Sequence, residues 1–205
     1  GHHADAGATP RHQAGADHGE RARQARATVA APLKRQAEQQ FEAGRAGHRI
    51  GERQILFVGA DQVFITNGSL QGFVFLLDSM FGPGDVLAVE APTYDRALLQ
   101  ANLHGIEVLP VPVETDGLNV DVLATACAAG RVPKLVYTIP NFQNPSGATV
   151  SAEKRTALVT LAEKYGFPLL EDDPYGLLRF EGEHLPSLVS MAGPERVIFT
   201  SSFSK

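Results

Sequence analysis

The chain has 205 residues, 43% of them hydrophobic, with 20 Gly, 13 Pro and a single Cys, a composition suited to one sizeable soluble core. Its formal net charge of -5 argues against nucleic acid or an anionic membrane as a partner. Lone Cys127 excludes an intramolecular disulfide, and no stretch approaches the roughly 18–20 uninterrupted apolar residues of a membrane span.

Residues 1–48 are poor in large apolar side chains, which there are only Val29, Leu33 and Phe41. The segment reads as low-complexity, disordered to about residue 30 and helical at most over 31–46. Five histidines fall in it (His2, His3, His12, His18 and His48), at spacings that match no metal-ligand pattern, so no metal site is expected. It also lacks the apolar core of a signal peptide, and a cytoplasmic location is expected.

From Gln54 onward the texture changes to short apolar runs alternating with helical segments. The strands expected are QVFIT (62–66), DVLAVE (85–90), IEVLPVPV (106–113), KLVYTI (134–139), FPLLED (167–172) and RVIFTSS (196–202). Several are apolar nearly throughout, as strands covered on both faces must be. Helices are expected over 70–80, 95–103, 120–129 and 152–165. Ser151 stands as N-cap of the last, with Lys154 and Arg155 where an acidic first turn would be usual, and Gly166 stands just past its end. Cys127 reads as a buried thiol near the end of the 120–129 helix. This alternation predicts an α/β domain, a three-layer α/β/α arrangement with a mainly parallel sheet, over 49–205.

In such a sheet ligands bind beyond the carboxyl ends of the strands, at helix N-termini. The segments that follow the strands are therefore the informative ones. Thr66-Asn67-Gly68-Ser69-Leu70 opens a helix and can cradle an anion, although a glycine there is by itself more often a tight turn. Tyr94 follows DVLAVE in the run APTY, where packing is as available a role as stacking on a ligand. PNFQNPSG (140–147) is polar for a loop that leaves an apolar strand, and its Asn144 is a candidate inward-facing donor. FPLLED ends in Asp172 and Asp173, then Pro174 and Tyr175, and an acid at the tip of a buried strand is costly without a cation or donors. RVIFT runs into Ser201-Ser202-Phe203-Ser204-Lys205.

In this order, TNGS, GDVLAVEAPTY, YTIPNFQNPSG, LLEDDPYGLLRFEGE and SSFSK resemble the fold-type I pyridoxal-phosphate enzymes of the class I/II aminotransferases, over about residues 54–205. Within them it most resembles the branch holding the 2-aminoadipate and kynurenine aminotransferases and the aminotransferase-like domains of certain bacterial regulators. The resemblance implies amino-group transfer between an amino acid and a 2-oxo acid, with pyridoxal 5'-phosphate as cofactor and a homodimer as the full-length state. Lys205 then matches the lysine that forms the Schiff base with the cofactor, and Asp172 the carboxylate that keeps the pyridine nitrogen protonated. Tyr175 and Asn144 match the partners of the ring's phenolic oxygen, and Tyr94 the aromatic stacked on the ring. Gly68, Ser69, Leu70, Ser202 and Ser204 match the phosphate cradle. Two departures stand out: Leu70 occupies a place where many relatives carry Gln, and the C-terminal small domain with its substrate-binding arginine is absent. The chain is thus expected to be an incomplete large domain. The alternative is the pyridoxal-phosphate-binding effector domain of a GntR/MocR-like regulator, for which residues 1–48 lack the apolar periodicity of a winged helix.

Overall fold

The computed structural model describes residues 62–202 and 204, and the expectations for residues 1–48 and for Lys205 lie outside them. Gln62–Ile65 belong to one compact unit, and Thr66–Ser202 with Ser204 to another, which carries all of the regular structure below. The elements are α1 (Ser69–Met80), β1 (Val86–Ala91), α2 (Asp95–Leu103), β2 (Glu107–Glu114), β3 (Gly117–Leu118), α3 (Val120–Ala128), β4 (Leu135–Thr138), α4 (Ala152–Tyr165), β5 (Leu169–Asp172), a 3-10 turn (Gly176–Leu178), α5 (Leu188–Ala192) and β6 (Val197–Thr200).

The strands form one six-stranded sheet in the order β3-β2-β1-β4-β5-β6. Every pairing is parallel except that of β3 with β2. Strand order reverses between β1 and β4, which leaves a crevice at the carboxyl ends there. Side chains alternate between two cores. Leu87, Val89, Leu135, Tyr137 and Leu170 pack with Phe73 and Leu77 of α1 and Ala97 and Ala101 of α2. Ala88, Val136 and Leu169 pack with Leu123 of α3, Leu158 and Ala162 of α4, and Leu188 of α5. The β1, β4 and β5 runs are apolar on both sides because helices cover both faces. Cys127 is buried in the second core near the end of α3, as its run suggested.

Local chemistry explains the helix ends. The Ser151 hydroxyl accepts from the Lys154 N–H at 3.3 Å, and Gly166 closes α4 in the left-handed region at φ 79°. The first turn of α4 does hold an acid, Glu153, which corrects the sequence expectation there. Lys154 instead reaches Glu114 and Asp116 in the β2–β3 hairpin, and Arg155 turns inward. Asn119 caps α3 by accepting from Val122 N–H at 3.0 Å.

Three further departures have physical causes. Residues 62–66 form no strand, because β propensity describes a surface that still has to be paired into a ladder. The last two residues of RVIFTSS leave the sheet, with the Ser201 hydroxyl donating to Asp173 O instead. The hairpin strand β3 and helix α5 escaped the periodicity reading because two and five residues are too few to show a period.

Candidate active site

Strand parity decides which acid at the tip of β5 faces which layer. Leu170 lies on the α1/α2 side, so Asp172, two residues on, shares that face, and Glu171 points to the other. Glu171 accepts from Leu188 N–H and Val189 N–H at 2.9 and 3.0 Å and so anchors the start of α5. Asp172 accepts the Tyr137 hydroxyl on Oδ2 at 2.8 Å, while its buried Oδ1 has no partner among the described residues. Asp173 is occupied on both oxygens, by the Asn141 amide at 3.0 Å and by Gly176 N–H at 2.8 Å.

A small cleft of about 10 Å³ is lined by Ser69, Leu70, Tyr94, Tyr137, Asp172 and Thr200, together with Phe73, Ala97 and Leu170. Gly68 precedes α1 at φ 78°, and the Ser69 and Leu70 N–H groups beside this cleft have no side-chain cap among the described residues, while Gln71 N–H donates to Gly68 O at 3.2 Å. A partly positive helix end and the Asp172 Oδ1 oxygen therefore meet along one cleft. Burial pushes the Asp172 carboxyl up to about 6, against the opposing hydrogen bond from Tyr137. The same burial, with Asp172 adding to it, pushes the Tyr137 phenol well above its ordinary value.

Asn144 and Tyr175 line a second cavity of about 630 Å³ together with Phe142, Pro145 and Phe180. Ser202 is half-buried and Ser204 exposed, the two hydroxyls share a hydrogen bond at 2.7 Å, and Lys205 lies outside the described residues. The structure thus brings Ser69, Leu70, Tyr94 and Asp172 together, pairs Asn144 with Tyr175 in a second cavity, and leaves the two serines outside both linings.

Sequence reasoning missed Tyr137 and Thr200, which line the first pocket, and the buried Glu90 at the end of β1. Glu90 accepts from Thr138 Oγ1 at 2.6 Å, Ile139 N–H at 3.1 Å and the Gln143 amide at 3.0 Å, and burial pushes its carboxyl to about 7. Gln143 also donates to Pro92 O and accepts from Ser146, which ties the turn before Tyr94 to the loop that carries Asn144. A tyrosine inside an aliphatic buried strand was the available clue to Tyr137, because its hydroxyl must find a partner. Glu90 and Thr200 gave no comparable clue.

Comparison with known proteins converges on one family. The family model described as aspartate amino-transferase matches residues 82–205, more than half of the chain. The chain belongs to this family. An aromatic-amino-acid aminotransferase of Thermococcus litoralis is 37% identical over 75% of the chain and 38% of its own length. The solved structure of LysN, the alpha-aminoadipate aminotransferase of Thermus thermophilus complexed with N-(5'-phosphopyridoxyl)-L-leucine, superposes with a TM-score of 0.68 at 33% identity, covering 72% of the chain and 39% of LysN. YdeF, an HTH-type transcriptional regulator of Bacillus subtilis, is 29% identical over 82% of the chain and 37% of its own length. The chain therefore spans under two-fifths of the length of these relatives. The fold is that of the fold-type I aminotransferase large domain, in part.

Proposed function

We propose that the protein of which this chain is a part transfers an amino group between an amino acid and a 2-oxo acid with pyridoxal 5'-phosphate. The observation that carries the reading is the pairing, along one small cleft, of a helix N-terminus without a side-chain cap and a buried carboxylate oxygen without a partner among the described residues. A ligand with an anionic end and a protonated ring nitrogen answers both. When bound, the cofactor supplies an electron sink that makes the α-proton of an amino acid removable.

The chain's own groups divide the remaining work. The N–H groups at the start of α1, with Gly68, Ser69 and Leu70, hold the phosphate, and Ser202 and Ser204 add hydroxyls to it. Tyr94 covers one ring face. Asp172 holds the proton on the ring nitrogen, and Tyr137 fixes the carboxylate so that Oδ1 is the oxygen offered. Asn144 and Tyr175 donate to the phenolic oxygen. Lys205 would supply the amine that holds the cofactor through its aldehyde and would carry the substrate proton. The aminotransferase relatives favour transfer over the regulator reading, since YdeF is the less similar match at 29%. Residues 49–205 are read as the cofactor-binding large domain, the full-length state as a homodimer and the location as cytoplasmic; the buried thiol of Cys127 supports a reducing compartment.

Equilibrium dialysis of the chain with pyridoxal phosphate tests the binding. Borohydride reduction and peptide mapping then locate the link. Label on Lys205 is expected, whereas label confined to Lys134 or Lys164 overturns the assignment. In a full-length protein carrying this domain, amino transfer to 2-oxoglutarate should follow, and Lys205→Ala should abolish it.

A further inference from the structure

Arg155, on α4, is the one fully buried arginine among the described residues, and no carboxylate pairs with it directly. A buried guanidinium is costly unless its donors are filled. Four oxygens fill them here. Nε donates to Val150 O at 2.9 Å, Nη1 to Pro186 O at 2.8 Å, and Nη2 to Pro140 O at 3.1 Å and Asn141 Oδ1 at 2.7 Å. Pro140 and Val150 are the two ends of the loop that carries Asn144, and Val150 N–H also donates to Pro140 O at 2.9 Å. The guanidinium therefore clamps that loop shut at its base.

The same clamp reaches the other half of the cavity. Asn141 accepts from Arg155 through Oδ1, which aims its amide at Asp173 Oδ2 at 3.0 Å. Asp173 Oδ1 in turn accepts from Gly176 N–H, and Tyr175 sits inside that turn. Gly176 lies so close to the Asp173 carboxylate that any Cβ there would collide with it, so the turn is built around this one acid. Asp173 is also pinned to the end of β6 through its N–H to Thr200 O and through Ser201. Burial weakens the hold of Arg155 on its proton, while the nearby Glu171 and Asp173 oppose that effect.

We propose that Arg155 is a positioning residue that fixes Tyr175 relative to Asn144, by clamping the 140–150 loop directly and the Tyr175 turn through Asn141 and Asp173. This rests on the reading that Asn144 and Tyr175 face the cofactor's phenolic oxygen. It explains why a charge lies in the core with uncharged acceptors around it: four rigidly forked donors can gather the backbone oxygens of separate loops, which an apolar side chain cannot.

Amide hydrogen exchange on the 205-residue chain without cofactor tests the link. Asn141→Ala leaves three of the four Arg155 contacts in place, and it should speed exchange of the Gly176 and Leu178 amides about tenfold while the α4 and β4 amides keep their rates. Arg155→Lys should speed exchange in both the 142–148 loop and the Tyr175 turn. Equilibrium dialysis with pyridoxal phosphate should show the affinity of Asn141→Ala weakened about tenfold, and Asn141→Asp, which keeps the acceptor for Arg155 but repels Asp173, should not restore it. Unchanged exchange of the Gly176 and Leu178 amides in Asn141→Ala overturns the proposal. If the parent chain fails to bind pyridoxal phosphate, the functional reading falls, and the exchange result still decides the clamp.

Discussion

Tyr137 and Asp172 stand diagonally across neighbouring parallel strands, Tyr137 opposite Leu170 in the ladder, and the phenol donates to the carboxylate at 2.8 Å inside the core. This bond stabilises the ionised form of an acid that burial otherwise drives toward neutrality. Tyr137→Phe should therefore move the Asp172 carboxyl further above its present value of about 6, by an amount equivalent to about 1.5–3 kcal/mol for a hydrogen bond to a charged group. Carbon-13 NMR titration of the aspartate carboxyls reads this directly. An unchanged midpoint would show that the phenol does not hold the charge.

Asp172 also burdens the fold that carries it. An acid that binds its proton more tightly when folded, at about 6 against an ordinary 3.8, weakens the fold as pH rises between those values. Above pH 7 that cost is fully present without a cation in the pocket. Asp172→Asn keeps an acceptor for Tyr137 and removes the charge, so at pH 8 it should stabilise the cofactor-free chain by about 1–2 kcal/mol in urea denaturation. The same change should abolish productive cofactor binding. A destabilised Asp172→Asn at pH 8 would mean that the carboxylate has a protein partner after all.

Glu90 acts in the same direction over a higher window, with its carboxyl at about 7 against an ordinary 4.5. Stability of the cofactor-free chain should rise by about 1–2 kcal/mol as pH falls from 8 to 6, because the folded state takes up protons that the unfolded state does not. Asp116, held below its ordinary 3.8 mainly by Lys154, works oppositely but only in more acidic solution. Glu90→Gln should flatten the rise between pH 6 and 8, as measured by urea midpoints.

Gly117 closes the β2–β3 hairpin at φ 103°, and a Cβ there would meet Val150 Cα at 2.6 Å. Neither backbone can withdraw, since Val150 ends the loop that Arg155 clamps. Gly117→Ala should cost about 2–4 kcal/mol of stability, through strain and overpacking together. Gly130→Ala, also at positive φ but with open space at its Cβ, should cost less, which separates the two contributions.

Much of this was legible before any coordinates. The four long helices and the five parallel strands follow from apolar runs separated by glycine turns, and α4 has the ends that Ser151 and Gly166 imply. The grouping of Ser69, Leu70, Tyr94 and Asp172 was also accessible, because all four follow strand ends or open helices. Polar side chains that work through others were not accessible. Arg155 was legible only as a basic residue in a helix's first turn, and nothing in its neighbours shows that Pro140, Val150 and Pro186 converge on it. Such contacts join residues far apart in the chain through backbone oxygens, which carry no residue identity. The 62–66 run failed for a related reason: β propensity describes a surface to be paired, and the partner is a property of the fold.

The alternation of Glu171 and Asp172 also bears on how β5 finds its place. Leu169-Leu170-Glu171-Asp172 reads leucine, leucine, acid, acid, so sliding the strand by one residue would keep leucine and acid in place on one face only. On the other face an acid would fall in a leucine slot, or a leucine in an acid slot, and hydrophobic patterning penalises that exchange. On the matched face the length of the acids still discriminates. The longer glutamate spans to two amides at the start of α5, and the shorter aspartate stops at the Tyr137 hydroxyl. Patterning on one face and acid length on the other thus lock the strand in its alignment, and the site inherits its address from both.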